Sequence, residues 1–303
     1  DYFIAAGAVY MACLLTAQGI IYLRNGLHTA TFDLLPCGLI RVRIPTVITW
    51  KPGQHVFARF IPLGLHSLTA HPFTISSIAR DPDKMRMGNE MGNEIAFYIK
   101  PKRSITARMA RVAAKSPGSS TGVFLEGPYG GLSTDLARFD AVVVIVGGSG
   151  GGFSLGVVEE ALRVAQRTVE IVYATRDTMT AKWYEDEIDA LVAKYDRSTD
   201  DVSKSIHITS PAVQSSEDTQ VPDLEKVAQP DASVQEAQRQ LRPNIAEIIA
   251  SATNGDKGKR VGIFACGPSS MLNDTRNAAA QAQRGVLSNE IKEAYLHTEP
   301  FGW

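Results

Sequence analysis

The sequence predicts an antiparallel β-barrel followed by a Rossmann-like α/β domain on a parallel sheet, with one transmembrane helix ahead of both. Three observations carry that fold class. Residues 31–132 are short runs rich in Val, Ile, Phe and Tyr that Pro and Gly close off. After Asp140, continuous apolar runs alternate with amphipathic stretches. Residues 3–23 hold no charge at all. The length of 303 residues fits two domains of about 100–200 residues each.

The charge-free run, FIAAGAVYMACLLTAQGIIYL, spans roughly 30 Å as a helix, about one hydrocarbon thickness. Arg24, Arg41 and Arg43 follow it, which sets its C-terminal flank on the cytoplasmic side. A signal peptide would need a basic leading region and a small-residue cleavage site. The chain begins with Asp1 rather than Met, so residues 1–24 read as the last span of a truncated membrane domain, with membrane lipid as its partner. A buried core helix is the alternative. Residues after about 24 are then expected in the cytosol, as part of an integral membrane protein.

The barrel is expected over residues 30–135. Examples of its strands are LIRVRIP (39–45), HVFARFIP (55–62), FTISSIA (73–79), EIAFYIK (94–100) and GVFLEG (122–127), spaced as in a small antiparallel barrel. SITARMARVAAK (104–115) is helical, with Ile105, Met109 and Val112 on one face.

The α/β domain is expected over 138–303. AVVVIV (141–146) reads as a strand buried on both faces. It runs through GGSGGG (147–152) into the amphipathic FSLGVVEEALRVAQ. VEIVYATR (169–176), SIHITS (205–210) and VGIFAC (261–266) are further strands; KWYEDEIDALVAKY (182–195), NIAEIIASA (244–252) and SSMLNDTRNAAAQAQ (269–283) are helices. Between them, about 211–240 is polar and without aromatic residues, so it reads as a disordered insertion.

Composition removes several functions. The 31 Lys and Arg against 32 Asp and Glu leave a net charge of −1, so a basic field for nucleic acid is absent and no nucleic-acid partner is expected. Cys13, Cys37 and Cys266 are too few and too far apart for a disulfide framework or a zinc site. His28, His55, His66 and His207 have no metal-ligand spacing, so no metal site is expected.

Two features point to a nucleotide. Gly147, Gly148, Gly150 and Gly151 join a buried strand to a helix, where backbone can approach a pyrophosphate at the helix N-terminus. At the end of the second strand, Thr175-Arg176-Asp177 offers an arginine for a 2′-phosphate and an acid for a ribose hydroxyl. Arg176 argues for NADP, and Asp177 leaves NAD open.

Seven segments together resemble the ferric reductase and NADPH oxidase family, above all the fungal ferric-chelate reductases. They are KPGQHVF (51–57), HPFTISS (71–77), EGPYG (126–130), VGGSGGGFSL (146–155), VYATRD (172–177), FACGPSSM (264–271) and HTEPFGW (297–303). The resemblance implies a ferredoxin-reductase-like pair of domains, the barrel binding FAD and the parallel sheet NADPH. It implies that His71, Pro72, Phe73 and Thr74 line the flavin site. Phosphate binding would fall to Lys100, Ser104, Ile105 and Thr106, although the family's arginine is here Lys100 and its glycine is missing. Cys266, Gly267 and Pro268 would border the nicotinamide, with Cys266 in a positioning role. Trp303 would cover the flavin ring as a gate, with Phe301 as its substitute.

The implied activity is hydride transfer from NADPH to FAD and single-electron transfer to membrane haem, ending in reduction of chelated Fe³⁺ or Cu²⁺. Haem b is expected only in a membrane domain upstream. The alternatives are an NADPH oxidase making superoxide and a flavin-free membrane-tethered regulatory module.

Overall fold

The computed structural model describes residues 1–61, 69–80, 92–102, 105–164, 168–198, 201–209, 241–254 and 257–300. The expected insertion at 211–240 lies outside these residues, as do Ser104, Phe301 and Trp303. The described chain divides into two units, residues 1–135 with 152–160, and residues 136–151 with those from 161 onward.

The first unit is built on six antiparallel strands: β1 (Leu27–Leu34), β2 (Ile40–Thr46), β3 (Gln54–Phe60), β4 (His71–Thr74), β5 (Asn93–Ile99) and β6 (Ser119–Gly130). Their order is β4-β3-β6-β1-β2-β5. Period-two alternation selects the interior: Ile40, Val42 and Ile44 of β2, Val56, Ala58 and Phe60 of β3, and Ile95, Phe97 and Ile99 of β5 share one core. Each such Val, Ile or Phe side chain contributes roughly 1.5–3 kcal/mol when fully buried. The two outer strands meet just past β4. There Ser76 N–H donates to Ala96 O at 2.8 Å, and Ala96 N–H donates to Ser77 Oγ at 3.2 Å. These bonds join the sheet's edges, so it closes as a barrel. Helix α2 (Ile105–Lys115) adds Ile105, Met109 and Ala113, one residue per turn, to the same core.

Ahead of the barrel, α1 (Tyr2–Ile20) is 19 residues of exposed apolar helix, long and apolar enough to cross a membrane. It passes into a single π-helical turn, Ile21–Asn25. Ile21 is buried, Asn25 Nδ2 donates to Leu125 O at 2.8 Å, and Arg59 Nη1 donates to Gln18 Oε1 at 3.1 Å. The lower end of α1 is therefore bonded to β3 and β6.

The second unit has five parallel strands, β7 (Ala141–Gly147), β8 (Thr168–Thr175), β9 (Val202–Ile208), β10 (Arg260–Gly267) and β11 (Glu293–Pro300). Their order is β11-β10-β7-β8-β9. Every residue of β7 is buried, as its unbroken apolar run requires. Helices α3 (Gly151–Arg163), α4 (Thr178–Lys194), α5 (Ile245–Thr253) and α6 (Ser269–Leu287) connect the strands or follow them. Ile145, Val172 and Ile263 pack with Ile249 of α5 and Leu272 of α6. On the opposite face of β8, Tyr173 stacks on Tyr184 of α4 with ring centroids 4.0 Å apart. The chain builds outward from β7 first through β8 and β9, then through β10 and β11. The strand order thus reverses at β7 and β10, and an open α/β sheet binds its ligand beyond the carboxyl ends of such a pair.

Candidate functional site

The predicted residues of the second unit gather at that reversal. Gly147 ends β7, and Gly148–Gly150 make one 3-10 turn leading into α3 at Gly151. No side chain caps this helix start, the arrangement in which a helix N-terminus receives an anion. Gly148 has φ +52°, a region that side chains disfavour. A Cβ at Gly150 would lie 2.7 Å from Cys266 O and 2.9 Å from its Sγ. The turn is therefore pressed against the end of β10, and only bare backbone fits there. Such a cradle suits the pyrophosphate of a dinucleotide.

Cys266 and Gly267 close β10, and Pro268 begins the turn into α6. Pro268 and Met271 both stand over Gly147. The Cys266 thiol is 6% exposed, and burial, aided by the negative Glu299, pushes its pKa up to about 12. It is a neutral thiol at ordinary pH and not a nucleophile. Glu299 of β11 is its neighbour in the strand register, and His297 Nε2 lies 3.0 Å from Glu299 Oε1.

One strand away, Thr175 ends β8 and is buried, with its carbonyl accepting from Thr209 N–H at 2.7 Å. Arg176 follows, exposed. Asp177 caps α4: Oδ1 accepts from Met179 N–H at 3.4 Å, and Oδ2 accepts from Thr180 N–H at 2.8 Å and from the Thr180 hydroxyl. Capping engages the Asp177 carboxylate in three local hydrogen bonds. Arg176 is left as the exposed charge at this strand end.

In the first unit, β4 carries His71, Pro72, Phe73 and Thr74 along the edge beside β3. Pairing sets Thr74 opposite His55 and Pro72 opposite Phe57, whereas Phe73 pairs with Val56. Phe73 accordingly packs inward on Phe97 and Phe60, at centroid distances of 5.4 and 6.1 Å. His71 Nε2 lies 2.9 Å from Thr69 Oγ1. Thr74 is exposed. Near the start of α2, Lys100 and Lys102 are exposed, Lys102 N–H donates to Thr106 Oγ1 at 3.0 Å, and Ile105 belongs to the barrel core. Two lysines, a threonine and a helix start make a donor set suited to a diphosphate. Ser76 Oγ is buried and has no partner among the described residues, a vacancy that a ligand's polar atom would fill.

Sequence reasoning assigned no role to three groups. His55, Phe57 and Tyr129 form a ring cluster on the outer face beside Pro72 and Thr74, with centroids 5.7–6.1 Å apart. Their segments, KPGQHVF and EGPYG, stood out as motifs without roles. Glu299 and His297 lie in HTEPFGW, but their closeness to Cys266 depends on strand register. Tyr173, within VYATRD, donates its hydroxyl to Gly148 O at 2.8 Å.

Comparison with known proteins fits this arrangement. The family profile described as "FAD-binding domain" matches residues 24–133, and "Ferric reductase NAD binding domain" matches residues 139–280. The chain is 33% identical over 162 residues to the probable cell surface ferric reductase kap2 of Aspergillus oryzae, covering 51% of this chain and 21% of that protein. It is 25% identical to the ferric/cupric reductase transmembrane component 1 of Candida albicans, over 93% of this chain and 37% of that one. The chain thus spans well under half the length of these curated relatives. Among solved structures, ferredoxin-NADP+ reductase from Plasmodium falciparum superposes with a TM-score of 0.57 at 10% identity, covering 91% of this chain and 95% of that one. The CS-b5R domains of human Ncb5or give 0.54 at 14% identity, covering 88% and 69%. Both likenesses show the fold.

Proposed function

This chain is an FAD- and NAD(P)-binding electron-transfer module of the ferric reductase family, distantly homologous to fungal ferric reductase transmembrane components, and from that premise we propose that it draws on NADPH to reduce ferric or cupric chelates across a plasma membrane. The observation that carries the reading is the bare glycine turn at the strand reversal, pressed on Cys266 and flanked one strand away by Arg176.

Gly147, Gly148, Gly150 and Gly151 would hold the NADPH pyrophosphate, and Arg176 its 2′-phosphate. Cys266, Gly267 and Pro268 would border the nicotinamide. The neutral Cys266 thiol offers a small wall without charge. His71, Pro72 and Thr74 would meet FAD from β4, and Lys100, Ile105 and Thr106 its phosphates, Ile105 through backbone alone. When bound, NADPH would supply a hydride and FAD would pass its two electrons on singly, releasing the proton to water, toward a haem expected in a preceding membrane region. The chain itself contributes placement, neutralisation of phosphate charge and exclusion of water. No proton need be moved by a side chain. Helix α1 would anchor the module, with the two units on the cytosolic side.

The test uses the full chain in detergent with added FAD, following NADPH oxidation with a soluble one-electron acceptor. A bound flavin spectrum with turnover that prefers NADPH over NADH is expected. Lack of both spectrum and turnover overturns the enzyme reading. In membranes holding the full-length protein, trapped Fe²⁺ should exceed superoxide; the reverse would assign oxygen as acceptor.

A further inference from the structure

We propose that Tyr173 is a positioning residue for the dinucleotide: its hydroxyl fixes the Gly148 carbonyl and so holds the glycine turn in the shape that receives the pyrophosphate. The inference rests on the reading of the second unit as an NADPH-binding one.

A loop with almost no side chains has nothing of its own to hold it still, because glycine loses more backbone freedom on ordering than any other residue. Something outside the loop must supply the constraint. The Gly148 carbonyl accepts from Gly151 N–H within the turn and from Tyr173 Oη at 2.8 Å, so both lone pairs are engaged. Gly148 is also the residue of the turn with a left-handed backbone, φ +52°. The external bond thus lands on the peptide with the most unusual geometry.

Tyr173 is itself firmly set. It is 0% exposed, and its ring stacks on Tyr184 at 4.0 Å and 21°. Trp183 meets Tyr184 edge-on at 6.1 Å. Trp183 and Tyr184 also come within 3.2 Å of where a Cβ on Gly151 would stand. The turn is therefore braced at Gly148 by β8 and at Gly151 by α4. Tyr173 lies two residues before Thr175 on the same face of β8, and Arg176 follows directly. One strand end thus sets the pyrophosphate turn and the 2′-phosphate charge together.

Tyr173→Phe removes the hydroxyl and keeps the stacked ring. Binding of NADP+ and of 2′-AMP, which carries adenosine and 2′-phosphate without a pyrophosphate, is measured by titration calorimetry on the full chain, with no turnover involved. NADP+ affinity should fall roughly five- to tenfold, the effect of one lost hydrogen bond, while 2′-AMP binds as in the wild type. Unchanged NADP+ affinity, or equal weakening of both ligands, overturns the proposal. Should the phenylalanine variant not fold, Gly148→Ala disturbs the same carbonyl from the loop side and must give the same split; a uniform loss there overturns it too. Wild-type protein that binds neither ligand would instead refute the nucleotide reading beneath it.

Discussion

The two units build their proposed anion sites in opposite ways. In the second, the cradle is backbone: a turn of glycines, pressed on Cys266 and pinned through the Gly148 carbonyl. In the first, it is side chain: Lys100 and Lys102 stand exposed near α2, and Ile105 is committed to the core. Backbone donors are fixed by the fold, so they are exacting about shape and depend less on salt than exposed lysines do. Lysines reach on flexible stems, so they tolerate sequence change but are screened by ions.

The largest effect should come from the exacting side. Gly150→Val places atoms onto Cys266 O and Sγ. Overpacking of this kind costs about 1–3 kcal/mol, and NADP+ binding should be lost with it. Calorimetric melting and titration would show both; a variant that still bound NADP+ would mean the turn is not the cradle. Next, Arg176→Ala should raise the KM for NADPH roughly tenfold or more, as expected for a lost charge-assisted bond. The KM for NADH should barely move, and equal changes would return Asp177 to consideration. A smaller effect is expected for Lys100→Ala with Lys102→Ala. FAD affinity should drop a few-fold at low salt and match the wild type at high salt. A salt-independent loss would erase the contrast between the units.

The last effect, confined to alkaline pH, concerns Cys266. Burial raises its folded pKa from 9.0 to about 12, so the folded state keeps a proton that the unfolded chain releases. Its contribution to stability is complete below the ordinary thiol range and is lost progressively as pH climbs from about 9 toward 12. Urea titrations across that alkaline range should show a steeper decline for the wild type than for Cys266→Ala.

Legibility followed burial. β7 and β10 are covered on both faces, so AVVVIV and VGIFAC are unbroken apolar runs that announce themselves. β1 did not, because His28, Thr29, Thr31 and Asp33 interrupt it, and Asp33 pairs with Arg43 at 3.1 Å and Arg41 at 3.4 Å across the pairing with β2. β11 is a half-buried edge strand, and EAYLHTEP shows no clean alternation. The glycine turn was readable as a nucleotide signal, but its brace was not, since Tyr173 and Gly148 are 25 residues apart. Asp177 shows a missed local signal. An aspartate directly ahead of a helical stretch is a favoured N-cap, and α4 does begin at Thr178, just after Asp177, rather than at the expected 182.

The bonded foot of α1 has a mechanical consequence. With Ile21 sunk in the protein, Asn25 tied to β6 and Gln18 tied to Arg59, a torque applied to the barrel is transmitted to the helix as a rigid lever rather than dissipated in a leash. The stand-off between the barrel and whatever α1 is embedded in is then a constant of the fold.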